Sequence, residues 1–134
     1  MKINFVAGFA PIVTDGEAAA RFYRDDLGLP LEEEDGYYGT QKVDGVKHLG
    51  LWPLEQAALS CFGTEAWPAD VPVPQATIEF EVDDVAEAAG ELEAKGYRLL
   101  HGARTEPWGQ TVARVLSPEG LIVGLSYTPW LRPA

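Results

Sequence analysis

The sequence predicts an α+β fold assembled from two copies of a strand–helix–strands unit. Two helix starts with matching flanks, an alternating strand before the second, and turn-punctuated strand runs behind each lead to that prediction. Val13-Thr14-Asp15 superimposes on Val82-Asp83-Asp84 with an offset of 69 residues (82 minus 13), about half of the 134-residue chain. Self-similarity at a fixed offset marks a duplicated unit.

Each element follows from local chemistry. Asn4 to Val13 is extended. Thr14 with Glu17 three residues later reads as a capping box, in which each side chain satisfies an orphan amide of the first turn. Ala18, Ala19, Phe22 and Tyr23 then recur at helical spacing, and Gly28 closes the helix. Tyr37 to Val43, an Asp44-Gly45 turn and Val46 to Trp52 read as a hairpin. Thr77 to Val82 alternates, with Ile78, Phe80 and Val82 on one face and Thr77, Glu79 and Glu81 on the other. The second helix opens at Asp83-Asp84 with Glu87 after it, carries Val85, Ala88, Ala89 and Leu92 as its apolar stripe, and stops at Gly96. Strands follow at Tyr97 to His101, Thr111 to Leu116 and, past the turn Ser117 to Gly120, Leu121 to Tyr127. The expectation is therefore a single domain over 1–134, with module one at about 4–60 and module two at about 75–128. The proline-rich connection, about 53–74, holds at most a short helical turn from Gln56 to Ser60.

Composition narrows the function. A hydrophobic fraction of 46% and a charged fraction of 23% are ordinary for a globular chain. At this length roughly two-thirds of the unfolded surface is buried, enough for stability without disulfides. The lone Cys61 forms no internal bridge, and the N-terminus lacks the apolar run and cleavage site of a signal peptide. No stretch approaches the ~20 apolar residues that span a bilayer. These features lead to the expectation of a soluble, cytoplasmic protein. Ten Lys plus Arg against 21 Asp plus Glu give a net charge of −11, which argues against nucleic acid and anionic membrane surfaces as partners.

Several short motifs now line up. The first half carries Val13-Thr14-Asp15, Phe22-Tyr23 and Asp25-Asp26-Leu27-Gly28. The second carries Phe80 to Asp84, Pro107-Trp108-Gly109 and Pro118 to Gly120. In this order and spacing the chain, from about Gly8 to Tyr127, resembles the glyoxalase, bleomycin-resistance and extradiol-dioxygenase superfamily of vicinal oxygen chelate proteins. The resemblance implies two tandem β-α-β-β-β modules whose curled mixed sheets enclose a cleft, and a homodimer. It also implies, in catalytic members, a divalent metal held by His or Gln on each module's first strand and Glu on a last strand.

Carried over residue by residue, those ligand positions fall on Gly8 and Thr77, seven residues before Asp15 and Asp84, and on Gly124, four residues after Gly120. Glycine has no side chain, and a threonine hydroxyl is a poor ligand for Zn, Ni, Fe or Mn. No metal and no other cofactor is therefore expected. The opposing reading has Glu79 and His48 converge into a non-standard site.

Glu79 should point into the cleft, as a ligand anchor or a general base, or simply as the ion-pair partner of Arg114. Trp108, in the Pro-Trp-Gly loop that resembling proteins place at the cleft mouth, offers a face for a planar ligand or a cation. Trp52, Tyr37 and Tyr38 should form the opposite wall, with Trp52 and Tyr38 taken as ligand contacts beside Trp108 and Arg114. His48 could act as acid or base near neutral pH, His101 should lie near the surface, and Cys61 reads as an inert buried thiol. The Glu32 to Asp35 run reads as solvated charge. The preferred function is metal-free binding of a small aromatic or cationic molecule, of the drug-sequestering type. The alternative is a lyase, isomerase or dioxygenase using a non-standard metal site or Glu79/His48 acid–base chemistry.

Overall fold

Eight strands hydrogen-bond into one sheet in the order β2-β3-β4-β1-β5-β8-β7-β6 in a computed structural model that describes residues 1–132. The strands are β1 (Phe5–Val13), β2 (Glu32–Glu34), β3 (Tyr37–Thr40), β4 (Leu49–Pro53), β5 (Ala76–Glu81), β6 (Leu99–Thr105), β7 (Thr111–Leu116) and β8 (Ile122–Tyr127). The helices are α1 (Gly16–Ala20), α2 (Leu54–Phe62) and α3 (Val85–Ala94). The halves repeat each other's topology. β1 lies parallel to β4, β5 lies parallel to β8, and the antiparallel β1–β5 pair joins them at the centre.

The repeat is sharpest at the helix starts. Asp15 and Asp84 both hold extended backbone and accept from the amide three residues on, Ala18 and Glu87 respectively. The first cap is thus Asp15 and not Thr14, one residue later than the capping-box reading. The first helix also loses its predicted stripe. After α1 the chain widens into π-helical turns over Arg21–Asp26, with the Leu27 amide bonded to the Phe22 carbonyl. That shift in winding rotates the side chains, so Ala20 is buried while Phe22 is 52% exposed.

Three other elements differ from expectation. The acidic run forms the edge strand β2, its side chains exposed as predicted but its backbone paired to β3. The hairpin ladder ends at Thr40↔Leu49, because the Thr40 hydroxyl turns back to accept from the Lys42 amide and residues 41–48 become a loop. The connection holds a nine-residue helix, α2, ended by Gly63 in the left-handed region.

Two apolar clusters lie on opposite faces of the sheet. On the outer face α3 packs Val85, Ala88 and Ala89 onto Val82, Ala113 and Leu125. On the inner face α2 packs Ala57 and Cys61 against Ala10, Trp52 and Ile122, with Leu100 and Leu116 beside them. Because α2 touches β1, β4 and β6, the sheet curls around it. It thereby plugs one end of the concave side and leaves the rest as a cleft.

Candidate functional site

The floor of the cleft is a row of residues that cross-strand register sets side by side. A bulge in β1 places Gly8 opposite Glu79, Glu79 pairs with Gly124, Gly124 with Arg114, and Arg114 with His101. Side chains alternate along each strand, so the row faces one way, onto a cavity of about 460 Å³. Its volume suits a small organic molecule.

Glycines shape this floor. A Cβ on Gly124 would lie 2.9 Å from Glu79 Cγ, so the Glu79 side chain occupies the space that a residue-124 side chain would need. Glu79 is held there by Gln110, whose Nε2 donates to Glu79 Oε1 at 2.8 Å and to Thr128 Oγ1 at 2.9 Å. Trp108 Nε1 donates in turn to Gln110 Oε1 at 3.0 Å. The loop carrying Trp108 is a tight turn, closed by the Gly109 amide on the Glu106 carbonyl, with Gly109 at φ 93°. One hydrogen-bond chain therefore runs from the mouth to the floor.

The wall opposite is Tyr37 and His48. Tyr37 Oη and His48 Nε2 are 2.5 Å apart, and their rings are parallel within 7°. Gly39 and Gly50 make room for them. A Cβ on Gly39 would sit 2.8 Å from the Tyr37 ring, and one on Gly50 would overlap the phenol. Burial holds the His48 imidazolium pKa below its ordinary value. Burial first, and the Glu79 charge second, push the Tyr37 phenol well above the usual range.

At the inner end Arg114, 1% exposed, donates Nη1 to Glu106 Oε1 at 2.7 Å and to His101 Nε2 at 3.0 Å. Its guanidinium carbon lies 5.1 Å from the centre of the Trp52 ring. β4 and β7 belong to different halves, so this contact closes the curl. His101 accepts on Nε2 and therefore donates Nδ1–H to the Gly102 carbonyl, at 2.7 Å. It is half-buried rather than superficial, and burial lowers its pKa. The Cys61 thiol beneath is pushed up to about 11, chiefly by burial, far from the thiolate range that reactivity needs.

The structure brings Glu79, His48, Trp108, Trp52 and Arg114 to one cavity. Tyr38 is not among its lining residues: the next strand position faces the other side, where the Arg24 guanidinium lies 5.5 Å from its ring. The anticipated Glu79–Arg114 pair is also replaced, because Gln110 takes Glu79 and Glu106 takes Arg114. Glu81, two residues beyond Glu79 on the same face of β5, is buried outside the cavity lining. It accepts from the Thr128 amide at 2.6 Å and from Arg132 at 2.9 Å. Those bonds tie down the terminal turn Pro129–Leu131, which brings the half-exposed Trp130 to the mouth. Tyr37, Gln110 and Trp130 also line the cavity, as do Glu34, Asp35, Gln41 and Gln56. For Tyr37 the signal was available, since glycines two residues on and across the hairpin leave space on its face alone.

The divalent metal implied by the resemblance does not fit these residues. Gly8 and Gly124 offer no donor and Thr77 a hydroxyl, while His48 Nε2 and Glu79 are engaged by Tyr37 and Gln110. No group of three or more His, Cys, Asp or Glu side chains suited to a metal occurs among the described residues. Also among them, no helix is long and apolar enough to cross a membrane.

Neutral imidazoles here make stability pH-dependent. The unfolded chain takes up protons near the ordinary histidine value of 6.5, while the folded His48 and His101 resist until lower pH. Stability is present above 6.5 and drains away as pH falls through the depressed values. Tyr37 acts at the other end, since the unfolded phenol ionises near 10.0 and the folded one does not. Urea midpoints should therefore decline below pH 6.5 and above pH 10, with the acid-side decline reduced in His48→Gln/His101→Gln. A midpoint that rises on acidification to pH 5 would contradict these assignments.

Comparison with known proteins identifies the architecture. Among solved structures, a glyoxalase/bleomycin resistance protein/dioxygenase superfamily member from Vibrio splendidus 12B01 matches at TM-score 0.57 and 16% identity, covering 90% of this chain and 96% of its own. Streptomyces coelicolor methylmalonyl-CoA epimerase, in complex with 2-nitronate-propionyl-CoA, matches at 0.60 and 16%, covering 99% and 100%. A structure described as NAD-dependent benzaldehyde dehydrogenase from Legionella pneumophila matches at 0.59 and 15%, covering 89% and 96%. Such low identities speak for shared fold alone. No curated protein matches the chain. The Glyoxalase/Bleomycin resistance protein/Dioxygenase superfamily description matches residues 5–125, and with the fold it establishes that the chain belongs to that superfamily.

Proposed function

We propose that the chain binds a small planar molecule, aromatic or cationic, in a cleft that does not use a superfamily-type metal, in the drug-sequestering manner. The observation that carries this reading is the position of Glu79, whose side chain fills the space of the missing residue-124 side chain. An acidic group thus stays on the floor, free of metal duty, in a cavity also lined by Tyr37, Trp52, Trp108 and Trp130. Such a setting suits a flat ring bearing a donor or positive charge. We take the chain to act as one unit and as a homodimer in the cytoplasm. The exposed Phe22 and Leu27, in and just after the π-helical turns, and the single, unbridged cysteine support that.

A thermal-shift and tryptophan-fluorescence screen with bleomycin and small planar amines tests the reading. At a hundredfold excess over Kd a ligand stabilises by about 2.7 kcal/mol, a readily measured shift. Trp108→Ala should weaken every hit severalfold and Glu79→Gln at least tenfold; hits that neither change affects would place binding elsewhere.

The Tyr37–His48 pair beside Glu79 favours one second reading, proton transfer at carbon by an isomerase or lyase with Glu79 as base. Solvent deuterium incorporated into an α-acidic carbonyl compound, and lost in Glu79→Gln, would support it over sequestration.

A further inference from the structure

We propose that Gln110 is a positioning residue that holds Glu79 in its ligand-binding geometry, and that the Trp108 N–H sets the direction of this brace. The proposal rests on the cleft reading above and deepens it, since Trp108 then acts on the ligand through its N–H as well as its face. Gln110 is 5% exposed and sits where the Pro-Trp-Gly loop re-enters the sheet, its carbonyl accepting from the Glu106 amide at 2.8 Å. β7 and β8 pair Thr111 with Tyr127, so the adjoining position sets Gln110 opposite Thr128.

The neighbours decide which way the amide points. An indole N–H only donates, so the atom that Trp108 Nε1 meets at 3.0 Å is the amide oxygen. The amide nitrogen therefore faces the other way, and its N–H groups go to Glu79 Oε1 at 2.8 Å and Thr128 Oγ1 at 2.9 Å. A flipped amide would set its oxygen against the Glu79 carboxylate and its N–H groups against the indole donor. Thr128 is itself fixed, 1% exposed with its backbone amide on Glu81 at 2.6 Å. Both Gln110 N–H groups are thus engaged within the protein, and Gln110 reaches a ligand only through Glu79.

The consequence for binding is preorganisation. A glutamate on an open floor samples several rotamers, and a ligand that must freeze one of them loses roughly three- to tenfold in affinity. Gly124 leaves the space beside Glu79 empty of any other side chain, and Gln110 selects the rotamer that fills it. Glu79 Oε1 is committed to the brace, so a ligand cation is received on Oε2.

Isothermal titration with benzylamine on a double-substitution cycle tests the brace. Gln110→Met, similar in size but without donors, should weaken benzylamine about fivefold. Glu79→Gln alone should weaken it at least tenfold. Glu79→Gln/Gln110→Met should then bind within about twofold of Glu79→Gln, because no carboxylate is left to position. A packing role for Gln110 would instead give the same loss on both backgrounds. Trp108→Phe keeps a ring at the mouth and loses the N–H, at a half-exposed site that tolerates change should Gln110→Met fail to fold. Its cost should be about threefold larger in the wild-type chain than in Glu79→Gln. Losses equal with and without the Glu79 carboxylate, or no loss in Gln110→Met, overturn the brace and leave the cleft reading standing. Absence of benzylamine binding by the wild-type chain overturns the cleft reading, and the brace with it.

Discussion

Replacing Arg114 by methionine is expected to lower the unfolding free energy by about 3 kcal/mol, the low end of the range for breaking a buried ion pair. The size follows from what is left behind. Glu106, only 6% exposed, loses its 2.7 Å partner and keeps Arg104, which sits at 3.4 Å and is itself 39% exposed. His101 loses the donor on Nε2, and Trp52 loses the cation across the curl. Arg104→Met, removing an exposed and longer contact, should cost less than about 1 kcal/mol. Arg114→Met/Glu106→Met should recover much of the loss, because no charge then remains buried alone. Denaturant midpoints on the four proteins check this; an Arg114→Met cost under about 1 kcal/mol would show that the cluster does not hold the two halves together.

Gly50→Ala is expected to destabilise by about 2 kcal/mol, the ordinary cost of overpacking. One methyl does this because it points at Tyr37, with Cζ 2.5 Å from the new carbon and the hydroxyl nearer still. The phenol would have to leave its site, taking the His48 hydrogen bond with it. Tyr37→Ala removes the obstruction, so the double substitution Gly50→Ala/Tyr37→Ala should be no less stable than Tyr37→Ala alone. That non-additivity distinguishes a specific clash from a general intolerance of β4. Gly50→Ala should also weaken any ligand that rests on the Tyr37 wall. Equal costs of Gly50→Ala with and without the ring would contradict the packing described here.

What the sequence revealed and what it concealed divide along range. The helix caps and the offset between them are local, so Asp15 and Asp84 were readable to within a residue. Glu79 was placed on the cleft side by alternation alone. Partnerships that depend on the curl were not readable. Trp52 meets Arg114 only because strands of different halves close on one another, while Glu106 reaches Arg114 within the β6–β7 hairpin from a loop that no strand pattern orients. The Tyr37–Tyr38 choice failed for another reason. Two adjacent tyrosines leave the hydrophobic pattern equally satisfied in either phase, and a one-residue slip exchanges the faces. Only the glycine pair Gly39 and Gly50 breaks the tie. The π-helical turns over Arg21–Asp26 carry no strong breaker in sequence that would mark them.

In the proposed function Glu79 anchors a planar ligand without help from a metal. Calorimetric titration of EDTA-treated protein with benzylamine tests it most directly. Chelation should leave the affinity unchanged, and Glu79→Gln should lower it at least tenfold. Binding that EDTA abolishes and a stoichiometric divalent transition metal restores would contradict it.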